Sequence, residues 1–451
     1  MRKFNTVLSG FRNRQVVLYA GKKFSSYPAI FSIILSKNIW LPMSPENPHS
    51  RNIETLDQAN PFLLIHEGKA LPEPLSMYCT ENKIGTLSFD EALAGKEERE
   101  FDPSGFNKDD IAYIMFTSGS TGAPKGVPMT HENYINFVNN VLQILPFGEN
   151  EVFADFHDFA FDISIFYLFA FPFVGGAISP IMEQKDKVVP INHIVENAVT
   201  VWASVPSVIN RIKILRPNDQ VETAIRIMFL CGEPLKFDVL TYCFDNLGLQ
   251  NVYNFYGLTE TGVENFYHPC HPEDSNKYEK YGMAPIGTPL PGNSVKISDD
   301  KELLIGGCQV TPGYLGGGSS EKFENFEDIR FCKTGDIVEE YDGVYFCKGR
   351  MDSQVKLSGH RVELMDIEVH IAKQDNVDQV VCFLDEKKGH STLVAAIKPL
   401  GELDFKSIQK ALEKELPSYM IPKDHMIMKI IPQNNNGKVD RKKIQKRYQD
   451  L

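Results

Sequence analysis

Hydrophobic and polar positions alternate in short bursts from Gln15 to about Gly343. Val199–Ser204, Ile225–Leu230 and Leu303–Ile305 are strand-length runs rich in β-formers, and helical stretches separate such runs, which predicts α/β layers. Roughly the last hundred residues have a different texture. Val380–Leu384 and Ser391–Lys398 predict strands, and Phe405–Leu416 places apolar residues at the spacing of an amphipathic helix. The pattern therefore predicts a large α/β domain over 1–351 and a small α+β domain over 352–451. Ile163–Met182 carries no charge over twenty positions, long enough to cross a bilayer. Pro172, the Gly175-Gly176 pair and Pro180 interrupt it, so a buried helix, a turn and a buried strand are predicted instead, with no membrane association.

Composition narrows the classes. The chain has 451 residues, 42% hydrophobic and 24% charged, ordinary values for a globular protein with room for two or three domains. A net charge of −12 argues against nucleic acid as a general partner. Eight cysteines are scattered with no C-x-x-C pair, and Arg12 and Arg14 interrupt any apolar leader, which predicts reduced thiols and a cytoplasmic location. His268-Pro-Cys270-His271 contains metal-ligand types, but Pro269 and Pro272 predict a loop with no second ligand pair nearby, so zinc is not expected there. Leu315-Gly-Gly-Gly-Ser319 mimics the site where carrier proteins take a phosphopantetheine arm. Its strand-like flanks do not suit a carrier's helical bundle, and Ser319 or Ser320 capping a short helix from Glu321 is the expectation.

The apolar run Ile111–Phe116 empties into Thr117, Ser118, Gly119, Ser120, Thr121 and Gly122, closed by Lys125. Glycines allow successive N–H groups to turn toward one point, hydroxyls add donors, and the lysine adds a charge suited to phosphate oxygens. The spacing is not that of a Walker loop, and no helix start is evident behind Lys125. A strand leading in also argues against a flexible linker.

This loop and a set of further segments in order resemble the adenylate-forming superfamily of acyl-CoA synthetases, luciferases and amino-acid adenylation domains. The segments are Phe161-Asp162-Ile163-Ser164, Asn254-Phe255-Tyr256-Gly257-Leu258-Thr259-Glu260, Gly313-Tyr-Leu, Lys333-Thr-Gly-Asp336, Gly349-Arg350-Met-Asp352, Gly359-His-Arg361, Leu416-Pro-Ser-Tyr-Met-Ile-Pro and Asn436-Gly-Lys438. The resemblance implies a large N-terminal layered α/β domain and a small C-terminal lid joined by a hinge at Asp352. It implies ATP with Mg²⁺ as cofactor. Tyr256 would face an adenine ring and Asn254 its edge, with Gly257 and Thr259 in the same motif. Glu260 would hold Mg²⁺, Asp336 would accept the ribose hydroxyls with Arg350 beside it, and Lys438 would bridge carboxylate and α-phosphate. Displacement of pyrophosphate by a carboxylate oxygen would then be catalysed chiefly by positioning and by cations. The lid would rotate and bring the Gly359-His-Arg361 loop to a pantetheine thiol.

Within the superfamily, Phe161-Asp162 points to amino acids, whose ammonium group the aspartate would meet. Phe229-Leu-Cys231-Gly-Glu-Pro-Leu resembles enzymes that load D-alanine onto a carrier. Leu258, where amino-acid enzymes have proline, leans toward acyl-CoA ligases. The expectation is a stand-alone enzyme that activates an α-amino acid and passes it to the phosphopantetheine thiol of a separate carrier protein. An acyl-CoA synthetase for a small acid and a degenerate binding protein are the alternatives. The branch's pocket positions carry over to Asp162, Ile163, Phe166, Ala203, Phe229, Cys231, Phe255, Val263 and Glu264. Three phenylalanines imply a small cavity. Glu264 implies either a carboxylate turned to water beside a small neutral substrate, or one meeting a polar or cationic side chain. Ser26–Pro45 matches a family segment that several dozen more residues ordinarily precede, so the N-terminal subdomain is expected to be shortened or completed by another chain.

Overall fold

The computed structural model describes the chain apart from residues 95–97, 103, 118–123, 318–319, 352–353, 358, 388–389 and 434–438, and only the backbone of Ser320, Lys387 and His390. The chain divides into two compact units, one comprising Met1–Pro45, Leu56–Phe116 and Gly126–Met351, the other Glu46–Thr55, Thr117–Lys125 and Asp352–Leu451.

Three sheets build the first unit, apart from the strand-end residues Thr117 and Lys125. Strands β1 (Gln15–Tyr19), β2 (Ile39–Met43), β3 (Leu63–His66), β4 (Gly85–Ser88), β5 (Ile111–Thr117) and β6 (Lys125–Thr130) form a sheet of order β4-β3-β1-β2-β5-β6. The second sheet holds β7 (Val152–Asp155), β8 (Ala177–Pro180), β9 (Val201–Ser204), β10 (Ile227–Leu230), β11 (Val252–Tyr256), β12 (Phe266–Cys270) and β13 (Thr288–Pro289), in the order β13-β12-β11-β10-β9-β7-β8. From β8 to β11 this sheet is parallel, and β9 and β10 are buried along their whole length, which is why they read as unbroken apolar runs. The layered α/β fold class is borne out. Alternation of helix and strand stops at β12, however. Strands β14 (Asn293–Ile297), β15 (Glu302–Gly307), β16 (Phe323–Phe326), β17 (Ile329–Tyr341) and β18 (Val344–Arg350) make a purely antiparallel third sheet, and Leu303–Ile305 belongs to it.

The uncharged stretch from Ile163 gives a wholly buried helix, Ser164–Ala170, as expected. The following strand does not match expectation: β8 is the sheet's edge and only half-buried, so its apolar residues face one neighbour only. Among the described residues no helix is long and apolar enough to cross a membrane. None of the eight cysteines is in a disulfide, and six of them are buried. Around Ser319 the described residues form two short 3₁₀ turns, Leu315–Gly317 and Ser320–Lys322. Ser319 and the side chain of Ser320 lie outside the described residues, so the capping expectation does too.

Thr130 starts the helix His131–Ile144 with a reciprocal cap. Its hydroxyl accepts from Asn133 N at 3.2 Å, and the Asn133 carboxamide oxygen accepts from Thr130 N at 2.7 Å. Asn133 also donates to the carbonyl of Cys308 at 2.7 Å, tying that helix to the end of β15.

The second unit contains the hairpin β19 (Gln354–Leu357) and β20 (His360–Glu363), and the sheet β21 (Val377–Lys387), β22 (His390–Pro399) and β23 (Asp424–Ile427). Helices Leu364–Ala372 and Phe405–Leu412 close its core around Ile367, Ile371, Leu393 and Ile408. Asp404 caps the latter helix through the N–H groups of Lys406 and Ser407, and Asp440 caps Arg441–Gln449 through that of Lys443. Within this unit Arg51 reaches the fully buried carboxylate of Asp366 at 3.4 Å, and His370 meets the same carboxylate at 3.3 Å.

Candidate active site

Strand β11 supplies the centre. Its alternation sends Asn254 and Tyr256 to one face and Phe255 to the other. Asn254 Nδ2 donates to the carbonyl of Pro285 at 2.8 Å, while its buried Oδ1 accepts no hydrogen bond from the described residues. A buried acceptor left without a donor is costly, so this atom suits a ligand N–H. Tyr256 is buried with Leu258, Phe266 and Ile286, and its hydroxyl donates to Asp336 Oδ2 at 2.5 Å. Burial, and then the Asp336 charge, push the phenol's pKa well up, so it stays a donor.

Asp336 lies inside β17, next to Gly335 at φ +78°, and faces Arg350 across the β17–β18 ladder. Arg350 Nη1 bonds Asp336 Oδ1 at 2.7 Å and Nη2 bonds the carbonyl of Thr334 at 3.2 Å. Thr334 Oγ1 in turn accepts from Asp336 N at 3.0 Å. A carboxylate buried this deeply needs both a cation and a hydroxyl donor, and it has them. One aspartate is thus fixed beside Tyr256 from two sheets.

After Tyr256 the chain reverses tightly. A Cβ on Gly257 would stand 2.3 Å from the carbonyl oxygen of Val263, so only glycine allows this return. Thr259 Oγ1 donates to Asp162 Oδ2 at 2.5 Å. Glu260 is buried, and Tyr314 donates to its Oε1 at 2.7 Å. Val263 has φ +77°, a left-handed conformation a β-branched residue rarely takes, and Glu264 N bonds back to Gly262 O at 3.2 Å in a γ-turn. Gln309 holds this strained turn, its Nε2 lying 2.8 Å from Glu264 O and 3.2 Å from Gly262 O. Asn265 adds a bond to Thr261 O at 2.7 Å. Gln309 gave no signal in the sequence, because a lone glutamine after a strand has no distinctive spacing.

Seven of the nine pocket positions, Ile163, Phe166, Ala203, Phe229, Cys231, Phe255 and Val263, fall in one buried apolar cluster. Phe166 stacks on Phe229 at 4.5 Å, and Phe229 on Phe255 at 3.9 Å with an interplanar angle of 10°. Asp162 is half-buried, and Glu264 is buried. Thr117 ends β5 and Lys125 opens β6, so a strand follows the phosphate-loop candidate. Ser118, Gly119, Ser120, Thr121 and Gly122, the lysine Lys438 and the hinge Asp352 lie outside the described residues.

A doubly layered α/β unit with this β11 motif, followed by a small α+β unit, has the architecture of adenylate-forming enzymes. The model of the AMP-binding enzyme family matches residues 8–315, and the chain belongs to that family. The superfamily resemblance is thereby borne out. The chain is 32% identical to a D-alanine–D-alanyl carrier protein ligase of Staphylococcus haemolyticus over 350 residues, 74% of this chain and 71% of the relative. It is 31% identical to the ligase of the same name from Staphylococcus aureus strain Newman, again over 74% and 71% of the two chains. Among solved structures, an adenylation domain of Vibrio cholerae in complex with glycyl-adenosine-5′-phosphate superposes with a TM-score of 0.82 at 21% identity, over 100% of this chain and 92% of that one. An o-succinylbenzoate CoA synthetase of Bacillus subtilis does so at 0.84 and 19%, over 99% and 92%. At those identities the two structures speak to fold alone.

Proposed function

We propose that this protein activates a small α-amino acid, of alanine or glycine size, with ATP and passes it to the phosphopantetheine thiol of a carrier protein. The observation that carries this reading is Asp162, whose carboxylate accepts from the hydroxyl of Thr259 in the β11 motif and which immediately precedes Ile163, a member with Phe166 of the buried apolar cluster. A half-buried carboxylate at that position has little use for a fatty acid and suits an ammonium group. The names of the Staphylococcus relatives support the D-alanyl carrier version of this chemistry. Leu258, the residue that leaned toward acyl-CoA ligases, is buried against Tyr256, Phe266 and Ile286, which accounts for it as core packing.

Around the amino acid, the nucleotide's contacts follow from donor and acceptor chemistry. Asn254 Oδ1 suits the exocyclic amine of adenine, and Asp336, oriented by Arg350 and Tyr256, suits the ribose hydroxyls. Glu260, a hard oxygen donor oriented by Tyr314, would hold Mg²⁺, which when bound neutralises phosphate charge. Lys125 and Lys438 would add cations at the phosphates. The second unit acts as a lid hinged at Asp352.

ATP–pyrophosphate exchange over L- and D-amino acids and simple carboxylic acids tests the reading. Exchange is expected with alanine or glycine, and Asp162→Ala is expected to abolish it. Exchange only with acids lacking an amine, or full turnover by Asp162→Ala, would overturn it.

A further inference from the structure

The motif His268-Pro-Cys270-His271 does not form the expected loop. His268 and Cys270 lie on β12, two residues apart, so their side chains share the face that carries Asn254 and Val252 on β11. Pro269 is tolerated because β13 pairs only with Phe266 and Tyr267, leaving Pro269 exposed beyond the ladder on that side, and Pro272 follows the strand's end. A third group then arrives that ligand spacing alone did not reveal. Asp274, at the start of the one-turn helix Asp274–Lys277, folds back so that its Oδ2 stands 2.8 Å from His268 Nε2.

Ligand atoms of His268, Cys270 and Asp274 all lie within 4.8 Å of one another, and all three residues are buried; no other such group occurs among the described residues. Asp274 Oδ2 also accepts from His271 N at 3.0 Å, which fixes the carboxylate toward the other two groups. The thiol's contacts are to backbone: it lies 3.7 Å from the carbonyl of His268 and accepts from the backbone N–H of Asn254. Tyr278 covers the cluster, its ring 6.1 Å from that of His268, and is itself packed on Phe346.

We propose that His268 Nε2, Cys270 Sγ and an Asp274 carboxylate oxygen bind one structural divalent cation of the zinc class. Sulfur, imidazole and carboxylate donors together select zinc over magnesium or calcium, which want oxygen alone. Ligand bonds of about 2.0–2.3 Å put neighbouring ligand atoms about 3.3–3.7 Å apart in a tetrahedron, so the His268–Asp274 contact opens by about half an ångström. Binding releases the thiol proton to solvent, and the fourth position is filled by water or by the exposed His271. The cation would pin the excursion 271–282 to β12. That excursion runs on into Ala284, bonded to Leu235 O at 2.9 Å, and Pro285, whose carbonyl orients Asn254. Loss of the metal is therefore expected to act on nucleotide affinity.

The full chain, grown with zinc and dialysed, is expected to hold about one zinc by elemental analysis, and Cys270→Ser or Asp274→Asn less than about 0.2. Cobalt(II) added to chelator-stripped wild type is expected to give the near-ultraviolet band of a thiolate–cobalt bond. This measurement decides the matter even if the variants do not fold. Zinc, but not magnesium, should restore the thermal midpoint of stripped protein and lower its KM for ATP. Zinc-free wild type with no cobalt–thiolate band would overturn the proposal, leaving a buried His–Asp pair. Full zinc in Cys270→Ser would overturn it as well.

Discussion

Gln309 is where the strained turn of the candidate site can be probed without touching any group that would meet substrate. The residue is wholly buried, and Gln309→Leu keeps its approximate volume while deleting both polar ends. On one side the carbonyl of Glu264 loses a donor at 2.8 Å and that of Gly262 one at 3.2 Å; on the other, Asn293 Nδ2 loses an acceptor at 3.2 Å. Stranding a buried polar group costs ~1–3 kcal/mol; the Glu264 carbonyl and the Asn293 amide are affected most, the half-buried Asn293 by less than the full amount, so ~2–5 kcal/mol is expected. For a unit of this size that lowers the thermal midpoint by about 4–10 °C, taking about 2 °C per kcal/mol. Released from Gln309, Val263 leaves φ +77°, and Glu260, three residues upstream, shifts with it. A displacement near 1 Å in a positioning group costs on the order of 10² in rate. Differential scanning fluorimetry and ATP–pyrophosphate exchange read the two effects separately. A Gln309→Leu protein melting within about 1 °C of wild type, with exchange within about twofold, would refute the claim that this side chain holds the turn.

Lys438→Ala is expected to lower exchange by about 10²–10³, the usual cost of one charge contact in a preorganised site, with ATP binding measured by calorimetry largely kept. Glu264→Gln should leave specificity for a small neutral amino acid unchanged in a substrate panel; loss confined to a basic or polar amino acid would show that the carboxylate meets the substrate's side chain. His360, stacked on Tyr419 at 3.7 Å, has its pKa lowered by burial to about 4, so it is neutral when folded and takes up a proton on unfolding below its ordinary value near 6.5. Stability is then lost as pH falls from about 6.5 toward 4, by about 1–2 kcal/mol at pH 5, and denaturation of His360→Gln at pH 7 and 5 should show a smaller difference than wild type.

What could be read in the sequence follows from how each element is buried. β9 and β10 are covered on both faces and so appear as unbroken apolar runs. The Asn254–Glu260 segment was legible because its residue types are chemically unusual together. β8 was misjudged because an edge strand needs only one apolar face, and the antiparallel sheet 293–350 was absorbed into the α/β pattern because its strands have similar composition. Gln309 and Asp274 act through contacts distant in sequence or through a fold-back across a proline, which no spacing rule records. The two prolines around Cys270 argue for a loop; strand pairing on one side only accommodates Pro269, and Pro272 falls beyond the strand's end.

If the stacked column Phe166–Phe229–Phe255 borders the amino-acid site proposed above, it has a consequence for fidelity. A cavity whose floor is solid ring turns away larger guests by collision, a steep barrier, but has no comparable means of refusing a smaller one. Omitting one methyl group forfeits only about 1–3 kcal/mol of contact, a discrimination of about 10–200-fold. Such an enzyme errs in one direction. If its true substrate is alanine, its characteristic mistake is glycine, and accuracy then depends on the relative abundance of the two and on what the acceptor tolerates. If it is glycine, no smaller amino acid exists to be mistaken for it, and the same three rings are sufficient.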